Sequence, residues 1–351
     1  MNRAEAPAAL APDATARLEA WIAAAVGARH ARVLHSERLP GGAIQENVGL
    51  YLDVEGGPRA GRHDLVLRTD APSGVAVSWS RAQEFRILEA AWRAGVIVPE
   101  PWALGDDPAV LGKPFYLMRR MPGEARGPRL VRDPAVQAHG EELVARLGRN
   151  LAKLHRLAPP VPGLDFVPVP DGPPALARVA EYRRHLDVLE VAEPVIEWAL
   201  RWLELSAPAS GRVCLIHADY RTGNYLVHEG ALSAILDWEF AAFGDPHEDL
   251  GWMLVRYWRF GAEDREAGGV GSRAAFLDAY AAEAGWPVDR DAVPYWEVMG
   301  NVRWAVIALM QAARYFRRRE PSLELALTAH VVPVLELDLL TLIRGIEEGR
   351  T

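Results

Sequence analysis

The first third of the chain alternates between helical and strand-like patterns of apolar residues. Residues 13–26 predict a helix. Three strand-like runs follow it, at residues 32–39, 48–54 and 64–68. Helical spacing returns at residues 84–94, and a further strand is predicted at residues 115–118. The pattern therefore predicts several short strands with helices before and among them.

Helical spacing dominates after residue 121. Residues 136–157 carry apolar side chains three and four positions apart, whereas residues 159–174 are rich in proline and predict an irregular loop. Short strands are expected at residues 213–216, 225–227 and 231–236, the last two joined by a turn at residues 229–230. Asp245 and Asp249 flank a turn that opens the next helix, and we expect both to act as caps; His247 is expected to be structural.

The strand at residues 213–216 ends next to a group of polar residues. Asp219 follows it directly and is placed to orient and deprotonate a substrate hydroxyl, while Asn224 offers a neutral amide oxygen. Gly223 permits the tight bend that such a loop needs. His217 and Arg221 complete the candidate catalytic set, and we expect His217 to stabilise the loop by hydrogen bonding.

The returning strand of the hairpin ends at a second carboxylate. Asp237 is a candidate ligand of a metal ion that bridges phosphates, and Glu239, two residues on, is close enough to assist through water. Together with the amide of Asn224, these oxygens are the ligands that magnesium prefers. A proton acceptor and a pair of magnesium ligands are what phosphoryl transfer from Mg-ATP requires, so the sequence predicts a kinase of small molecules.

With these loops the chain resembles the aminoglycoside phosphotransferase and choline kinase group. The catalytic loop of that group reads His-x-Asp-x-x-x-x-Asn and its metal loop Asp-x-Asp or Asp-x-Glu. The resemblance extends through residues 84–88, 111–118 and 236–250 and covers most of residues 30–330. It implies an α+β, protein kinase-like two-lobed fold, with a small antiparallel-sheet N-lobe and a mainly helical C-lobe. It also implies that ATP binds in the cleft between the lobes and that its terminal phosphate moves to a small-molecule hydroxyl.

Kinases usually hold the donor phosphates with a lysine on the third strand of the small lobe. Lys113 and Lys153 are the only lysines here, and neither is placed for that role. Arg68 takes the corresponding position at the end of the third strand and can grip phosphate through two parallel hydrogen bonds. Glu84 is expected to pair with Arg68, the alternatives being a strand-end arginine and a helix-start glutamate on the surface.

Further contacts to the nucleotide are predicted in the N-lobe. Gly41 and Gly42 form a turn that can lie over the phosphates, although an ordinary hairpin fits the same two glycines. The segment around Arg119 and Met121 fits a hinge whose backbone binds adenine, with Met118 lining the pocket. The lobe boundary is accordingly predicted at residue 121, which gives an N-terminal lobe at 1–121 and a C-terminal lobe at 122–351.

The acceptor is expected to contact aromatic and basic residues that follow residue 250. A polycationic aminoglycoside would require many carboxylates there, but residues 301–319 contain five arginines and no acid. This favours an aromatic, acyl or anionic alcohol, or a hydroxyacyl thioester, since one branch of the family is associated with acyl-CoA dehydrogenases. Glu181 and Glu190 are the acids that would weaken this argument. The alternative is that the aromatic residues are core and the arginines solvated. The predicted wall consists of Trp252, Arg256, Tyr257, Trp258, Arg259, Phe260, Asn301, Arg303, Trp304 and Gln311.

Composition narrows the class of protein. The 351 residues are 50% hydrophobic and 25% charged, which is ordinary for a globular protein with a sizeable core. A net charge of −8 disfavours nucleic acid and anionic membranes as partners. The single cysteine, Cys214, excludes a disulfide framework and favours the cytoplasm. No signal peptide or apolar run of membrane-spanning length is expected.

Three alternatives to a small-molecule kinase remain open. A pseudokinase would bind nucleotide without transferring phosphate, which the missing lysine favours and the intact Asp219, Asn224 and Asp237 oppose. An antibiotic kinase of the aminoglycoside type would fit the resemblance. A protein kinase is disfavoured, because no insertion resembling an activation loop follows Asp237.

Overall fold

The structure is a computed structural model that describes residues 9–39, 45–70, 78–209, 212–317 and 320–349. These residues form two compact units. The first contains the described residues up to Gly123, together with Pro162–Phe166 and Ser233–Phe240. The second contains Glu124–Val161, Val167–Leu232 and the described residues from Ala241 onward. The predicted lobes, 1–121 and 122–351, were each one continuous segment, whereas two short segments from beyond residue 121 belong to the first unit.

The first unit is built on one antiparallel sheet of five strands in the order β1-β2-β3-β5-β4. This confirms the small antiparallel sheet that was expected; β4 had no sequence-based prediction. In chain order the elements are α1 (Pro12–Ala25), β1 (His30–Arg38), β2 (Gln45–Glu55), β3 (Gly61–Asp70), α2 (Arg81–Arg93), β4 (Pro101–Gly105), α3 (Pro108–Leu111) and β5 (Phe115–Arg119).

The core of the first unit follows from strand alternation. Leu50 and Leu52 of β2, and Leu65 and Leu67 of β3, lie on one face and are buried with Phe115 of β5. Helix α1 covers this face with Leu18 and Ile22, which are one turn apart. The opposite face of β3 carries Arg68, which is also buried and belongs to the candidate site.

Helix α2 places the carboxylate of Glu84 at a fixed position in the interior of the first unit. Its N-terminus is a capping box, in which the Ser80 side chain accepts from the Gln83 N–H and the Gln83 side chain accepts from the Ser80 N–H. Phe85 and Leu88 are buried beside the sheet, and Glu84 lies between the cap and this apolar face. The cap therefore fixes where the Glu84 carboxylate enters the interior.

The second unit is mainly helical, as predicted. The loop expected at residues 159–174 is irregular up to the first residue of α6. Two short strand pairs, β6 with β9 and β7 with β8, carry the loops of interest, and β8 belongs to the first unit from Ser233 onward. The elements are α4 (Gly127–Leu130), α5 (Pro134–Leu154), α6 (Pro174–Leu189), α7 (Pro194–Leu205), β6 (Cys214–Ile216), β7 (Tyr225–His228), β8 (Ala231–Ile235), β9 (Ala242–Gly244), α8 (His247–Leu254), α9 (Arg273–Ala284), α10 (Val293–Phe316), α11 (Leu323–Leu327) and α12 (Val332–Glu347).

Helix α10 is the central helix of the second unit and packs with α6, α7 and α12 in one hydrophobic cluster. Helices α5 and α9 form a separate close pair. A Cβ atom at Gly148 of α5 would lie 2.3 Å from the carbonyl oxygen of Phe276, so glycine is required for this approach. The same helix α10 carries Trp296 and Arg303.

The C-terminal segment Leu323–Glu347 is long and apolar enough to cross a membrane by length and composition alone. The sequence-based statement that no apolar run reaches this length is therefore wrong. In the structure, Leu335, Leu339 and Ile343 of α12 are fully buried in the cluster around α10, although only 22% of the apolar window is buried.

Candidate active site

The loop after β6 is clamped by one buried carboxylate. Asp249 accepts the N–H of His217 at 2.7 Å and the N–H of Ala218 at 2.8 Å. Ala218 has a φ of +59°, a left-handed conformation that a non-glycine residue rarely adopts. The Nδ1 atom of His217 then accepts the N–H of Asp219 at 3.1 Å. These bonds hold the strained turn that presents Asp219.

The prediction that Asp249 caps a helix is wrong. Asp249 lies inside α8, is fully buried, and its carboxylate also meets the His155 ring at 3.1 Å. Burial opposes ionisation, but hydrogen bonds and charge interactions with His155 and His217 lower the pKa of Asp249 below its usual value. Asp245 does accept the His247 N–H at the start of α8, at 2.9 Å, and also contacts the His247 ring.

The Asp219 carboxylate is held by three hydrogen-bond donors. Its Oδ1 atom accepts from Trp252 Nε1 at 2.8 Å and from Arg221 Nε at 3.1 Å. Its Oδ2 atom accepts from Asn224 Nδ2 at 2.5 Å. The structure thus brings together Asp219, Arg221 and Asn224, and it adds Trp252 to them. Because the amide nitrogen of Asn224 faces Asp219, the amide oxygen remains as the atom for a cation.

The bend of this loop depends on glycine, as the sequence predicted. Gly223 has a φ of +116°, and a Cβ atom there would lie 2.6 Å from Arg221 Nη1. The neighbouring Thr222 hydroxyl meets the carbonyl of Gly268 at 2.7 Å and the Tyr225 hydroxyl at 2.8 Å. The loop is therefore fixed both by its backbone and by buried polar contacts.

In the first unit, Arg68 forms the predicted pair with Glu84. Arg68 Nη2 lies 2.9 Å from Glu84 Oε1 and 2.8 Å from Asp237 Oδ1. Arg68 is 7% exposed and Glu84 1%, so the alternatives of a surface arginine and a solvated glutamate are wrong. One guanidinium therefore connects the helix carboxylate with the candidate metal ligand.

Arg81 is a member of this network that sequence reasoning missed. It is 1% exposed, its Nη1 atom donates to Glu84, and its Nε atom lies 2.9 Å from Asp70 Oδ1. Its position three residues before Glu84 on a helix was the available signal, because residues at i and i+3 share a helix face. Two buried guanidiniums consequently share one buried carboxylate.

Asp237 and Glu239 form an acidic pair at the end of β8. Asp237 has a φ of +67°, and a third of its side chain is exposed. Burial, together with the neighbouring Asp237 carboxylate, raises the pKa of Glu239 to about 8. In the described part of the chain no cluster of three or more His, Cys, Asp or Glu has metal-binding geometry. The two carboxylates of Asp237 and Glu239 fit magnesium, which is usually bound through one or two carboxylates, substrate phosphates and water.

Of the other predicted nucleotide contacts, Gly41 and Gly42 lie outside the described residues. Met118 is half-buried in β5, where its backbone pairs with Val66 and Pro101. The N–H of Arg119 donates to the carbonyl of Glu100 at 2.9 Å. That the backbone around Arg119 and Met121 binds adenine stays a prediction.

Three of the arginines behind the acceptor prediction, Arg256, Arg303 and Arg314, are paired with carboxylates. Arg256 pairs with Glu263 and Asp338, and Arg303 with Glu248. Arg259 donates to two backbone carbonyls. Arg314 pairs with Glu320 and also donates to Gln311, and Arg317 donates to the Leu189 carbonyl. Arg318 and Arg319 lie outside the described residues, and Asn301 is buried, donating to the Glu297 carbonyl.

The aromatic part of the wall forms a cluster around Trp252. Trp252 and Trp258 are buried, while Tyr257, Phe260 and Trp304 are half-buried against them. Two guanidiniums stack on this cluster, Arg221 at 4.3 Å from the Trp258 ring centre and Arg303 at 4.8 Å from that of Trp252. Glu181 is paired with Arg178, and Glu190 is exposed at the end of α6.

Two comparisons with known structures show the fold. A Ralstonia eutropha protein described as a proposed aminoglycoside phosphotransferase superposes with a TM-score of 0.74 at 21% identity, covering 94% of this chain and 98% of that one. A thermostable mutant of aminoglycoside phosphotransferase APH(4)-Ia, in a ternary complex with AMP-PNP and hygromycin B, superposes with a TM-score of 0.59 at 15% identity, covering 93% and 98%. The predicted kinase-like two-lobed fold is confirmed.

Sequence comparison shows the family of the chain. Acyl-CoA dehydrogenase family member 10 from Mus musculus is 30% identical over 210 residues, which are 57% of this chain and 19% of that protein. The match therefore spans about a fifth of the relative's length. Residues 35–291 match the profile of the Phosphotransferase enzyme family. Since this range is well over half of the 351 residues, the chain belongs to the Phosphotransferase enzyme family.

Proposed function

We propose that this protein transfers the terminal phosphate of ATP to a hydroxyl group of a small molecule. The observation that carries the proposal is the Asp219 carboxylate, held by three donors on a strained and clamped turn. A carboxylate fixed in this way is suited to orient a hydroxyl and take its proton. The complex of APH(4)-Ia with AMP-PNP supports ATP as the donor.

Each residue has a defined task in this proposal. Asp219 accepts the hydroxyl proton while the acceptor oxygen forms a bond to the terminal phosphorus of ATP. The bond between that phosphorus and the ADP oxygen breaks, and ADP leaves. Arg68 binds the donor phosphates by charge. Asp237 would hold magnesium, with Glu239 assisting, and the amide oxygen of Asn224 is the candidate ligand on the catalytic loop. Magnesium, when bound, neutralises the negative charge that the phosphates share.

We propose an uncharged or anionic acceptor, with hydroxylated aromatic and hydroxyacyl compounds as the leading classes. The aromatic cluster around Trp252 adjoins Asp219, and the nearby carboxylates Glu248 and Glu181 already pair with Arg178. A polycation would find few free carboxylates there. The relative named as an acyl-CoA dehydrogenase family member supports the hydroxyacyl class.

The test is ADP release from Mg-ATP against a panel of alcohols, with Asp219→Ala as the blank. We expect saturable turnover with a hydroxylated aromatic or hydroxyacyl compound. Kanamycin should neither stimulate ADP release nor compete with that acceptor. Saturable phosphorylation of kanamycin would restore the antibiotic-kinase alternative, and ATP binding with no turnover of any alcohol would favour the pseudokinase.

Asp237→Ala is expected to raise the magnesium requirement and to weaken ATP binding at the same time, because one carboxylate is proposed to hold the ion that the phosphates share. Asn224→Ala should act in the same direction but more weakly, since a neutral ligand contributes less charge. Magnesium titrations of nucleotide binding measure both effects. Titration curves for Asp237→Ala that superimpose on those of the wild type would remove Asp237 from the metal site.

A further inference from the structure

Trp252 makes a contact to the candidate base that its sequence position did not reveal. Its side chain is 2% exposed, and its indole Nε1 donates to Asp219 Oδ1 at 2.8 Å across 33 residues of sequence. A buried tryptophan normally finds a partner for its N–H, but most such partners are backbone carbonyls or water. Here the partner is a carboxylate proposed to take part in chemistry.

The indole ring is held on several sides. The Arg303 guanidinium lies 4.8 Å from the Trp252 ring centre, and the Trp258 ring lies 5.1 Å away at a tilt of 59°. A Cβ atom at Gly300 would lie 3.2 Å from Trp252 Cε3, so α10 approaches the ring closely at a glycine. The direction of the indole N–H is therefore set by packing rather than by the hydrogen bond alone.

Arg303 is in turn fixed by a buried acid on the same helix as Trp252. Glu248 is 4% exposed, its Oε1 lies 3.5 Å from Arg303 Nη1, and its Oε2 accepts from Arg178 Nε at 3.0 Å. Glu248 and Trp252 are four residues apart on α8 and share a face of that helix. Helix α8 thus contacts the catalytic loop through two side chains. Asp249 accepts two backbone N–H groups of the loop, and Trp252 donates to the Asp219 carboxylate.

The hydrogen bonds decide which carboxylate oxygen is available. A carboxylate offers about four lone-pair positions, two on each oxygen. Trp252 and Arg221 occupy those of Oδ1, and Asn224 occupies one on Oδ2. The remaining position lies on Oδ2. The acceptor hydroxyl would donate its proton there.

We propose that Trp252 is a positioning residue, which locks the rotation of the Asp219 carboxylate so that Oδ2 faces the acceptor hydroxyl. This inference rests on the proposed function for its kinetic consequence. The contact itself is independent of any acceptor. Two experiments test separately the hydrogen bond between Trp252 and Asp219 and its effect on turnover.

The first experiment observes the indole N–H by ¹H–¹⁵N spectroscopy of the full chain without ligand. The chain has 12 tryptophans, and the signal lost in Trp252→Phe identifies Trp252. In Asp219→Ala that signal should shift upfield, because a hydrogen bond to a carboxylate deshields the proton. The Trp296 signal, identified by Trp296→Phe, should stay in place. An unmoved Trp252 signal would overturn the proposal whether or not an acceptor is known.

The second experiment compares the turnover of Trp252→Phe and Trp296→Phe, using the best acceptor of the alcohol panel. Trp252→Phe keeps an aromatic ring but removes the N–H donor. Its kcat should fall about 10- to 100-fold, with the KM values for ATP and for the acceptor nearly unchanged, as expected for a misplaced catalytic group. Trp296→Phe removes a buried indole N–H that has no partner in the described part of the chain, and its kcat should match the wild type.

The outcomes distinguish this inference from the function on which it rests. A kcat equal to that of the wild type in a folded Trp252→Phe variant would contradict the positioning role of Trp252 but leave the proposed phosphotransferase function intact. If the wild type turns over no acceptor, the proposed function fails and the spectroscopic experiment alone decides the contact. Equal loss of kcat in Trp252→Phe and Trp296→Phe would indicate a general packing effect and would also overturn the proposal.

Discussion

Asp219→Asn is expected to lower turnover by about 100- to 10,000-fold, the usual contribution of a general base. The amide keeps the size of the carboxylate and one oxygen for Trp252, but it cannot take the proton of the acceptor hydroxyl. Binding of Mg-ATP should change little, because Asp219 is not proposed to hold the metal. Initial rates of ADP release and calorimetric titration of Mg-ATP measure the two quantities.

Asp278→Asn is the matched control for this change. Asp278 lies on α9 in the same unit, its side chain is 65% exposed, and it pairs only with the surface residue Arg290 among the described contacts. Turnover of this variant should equal that of the wild type. Undiminished turnover of Asp219→Asn on the true acceptor would remove Asp219 from the mechanism.

Glu84→Ala is expected to reduce the free energy of unfolding by about 3–5 kcal/mol, the usual cost of removing one partner from a buried ion pair. The substitution leaves the guanidiniums of Arg68 and Arg81 without the carboxylate that they share, and both are buried. A neutral methyl group cannot compensate either charge. Urea denaturation of the full chain, followed by circular dichroism, measures the change.

Glu89→Ala on the same helix provides the comparison. Glu89 pairs with Arg86 and Arg93, whose side chains are 53% and 68% exposed, so water can replace the lost carboxylate. The expected cost is at most about 1 kcal/mol, as for surface ion pairs. Similar losses for Glu84→Ala and Glu89→Ala would show that the network around Glu84 does not stabilise the fold.

Local patterns were sufficient for much of the fold. The capping residues and apolar spacing of α2, and the strands that become β1, β2, β3 and β5, are encoded within a few residues of one another. Strand β4 escaped prediction, because it is a five-residue edge strand in a run with proline at its start. The segments 162–166 and 233–240 could not be assigned to the first unit, since their contacts there cross long stretches of sequence. One example is the packing of Trp79 against Phe166.

The same distinction applies to the candidate site. Asp219, Asn224 and Asp237 could be proposed as site residues because their chemistry sits in two short loops, and the pairing of Arg68 with Glu84 could be expected from their resemblance to a known arrangement. Asp249 and Trp252 could not be assigned their roles, because their contacts to the loop cross 32 and 33 residues, respectively. For the wall arginines, Arg256 pairs with Glu263 seven residues on but also with Asp338, 82 residues away, and Arg303 pairs with Glu248, 55 residues away.

The physical reason is the range of the interactions involved. Strand alternation, helix caps and loop motifs act between neighbours in the chain, so the order of residues reveals the elements and the reactive side chains. Burial, charge neutralisation and the direction of a donor depend on which elements pack together. Packing brings the indole of Trp252 to Asp219 and gives Glu84 two buried guanidiniums. Folding therefore decides how the reactive groups are oriented and balanced in charge, while the local sequence specifies which groups they are.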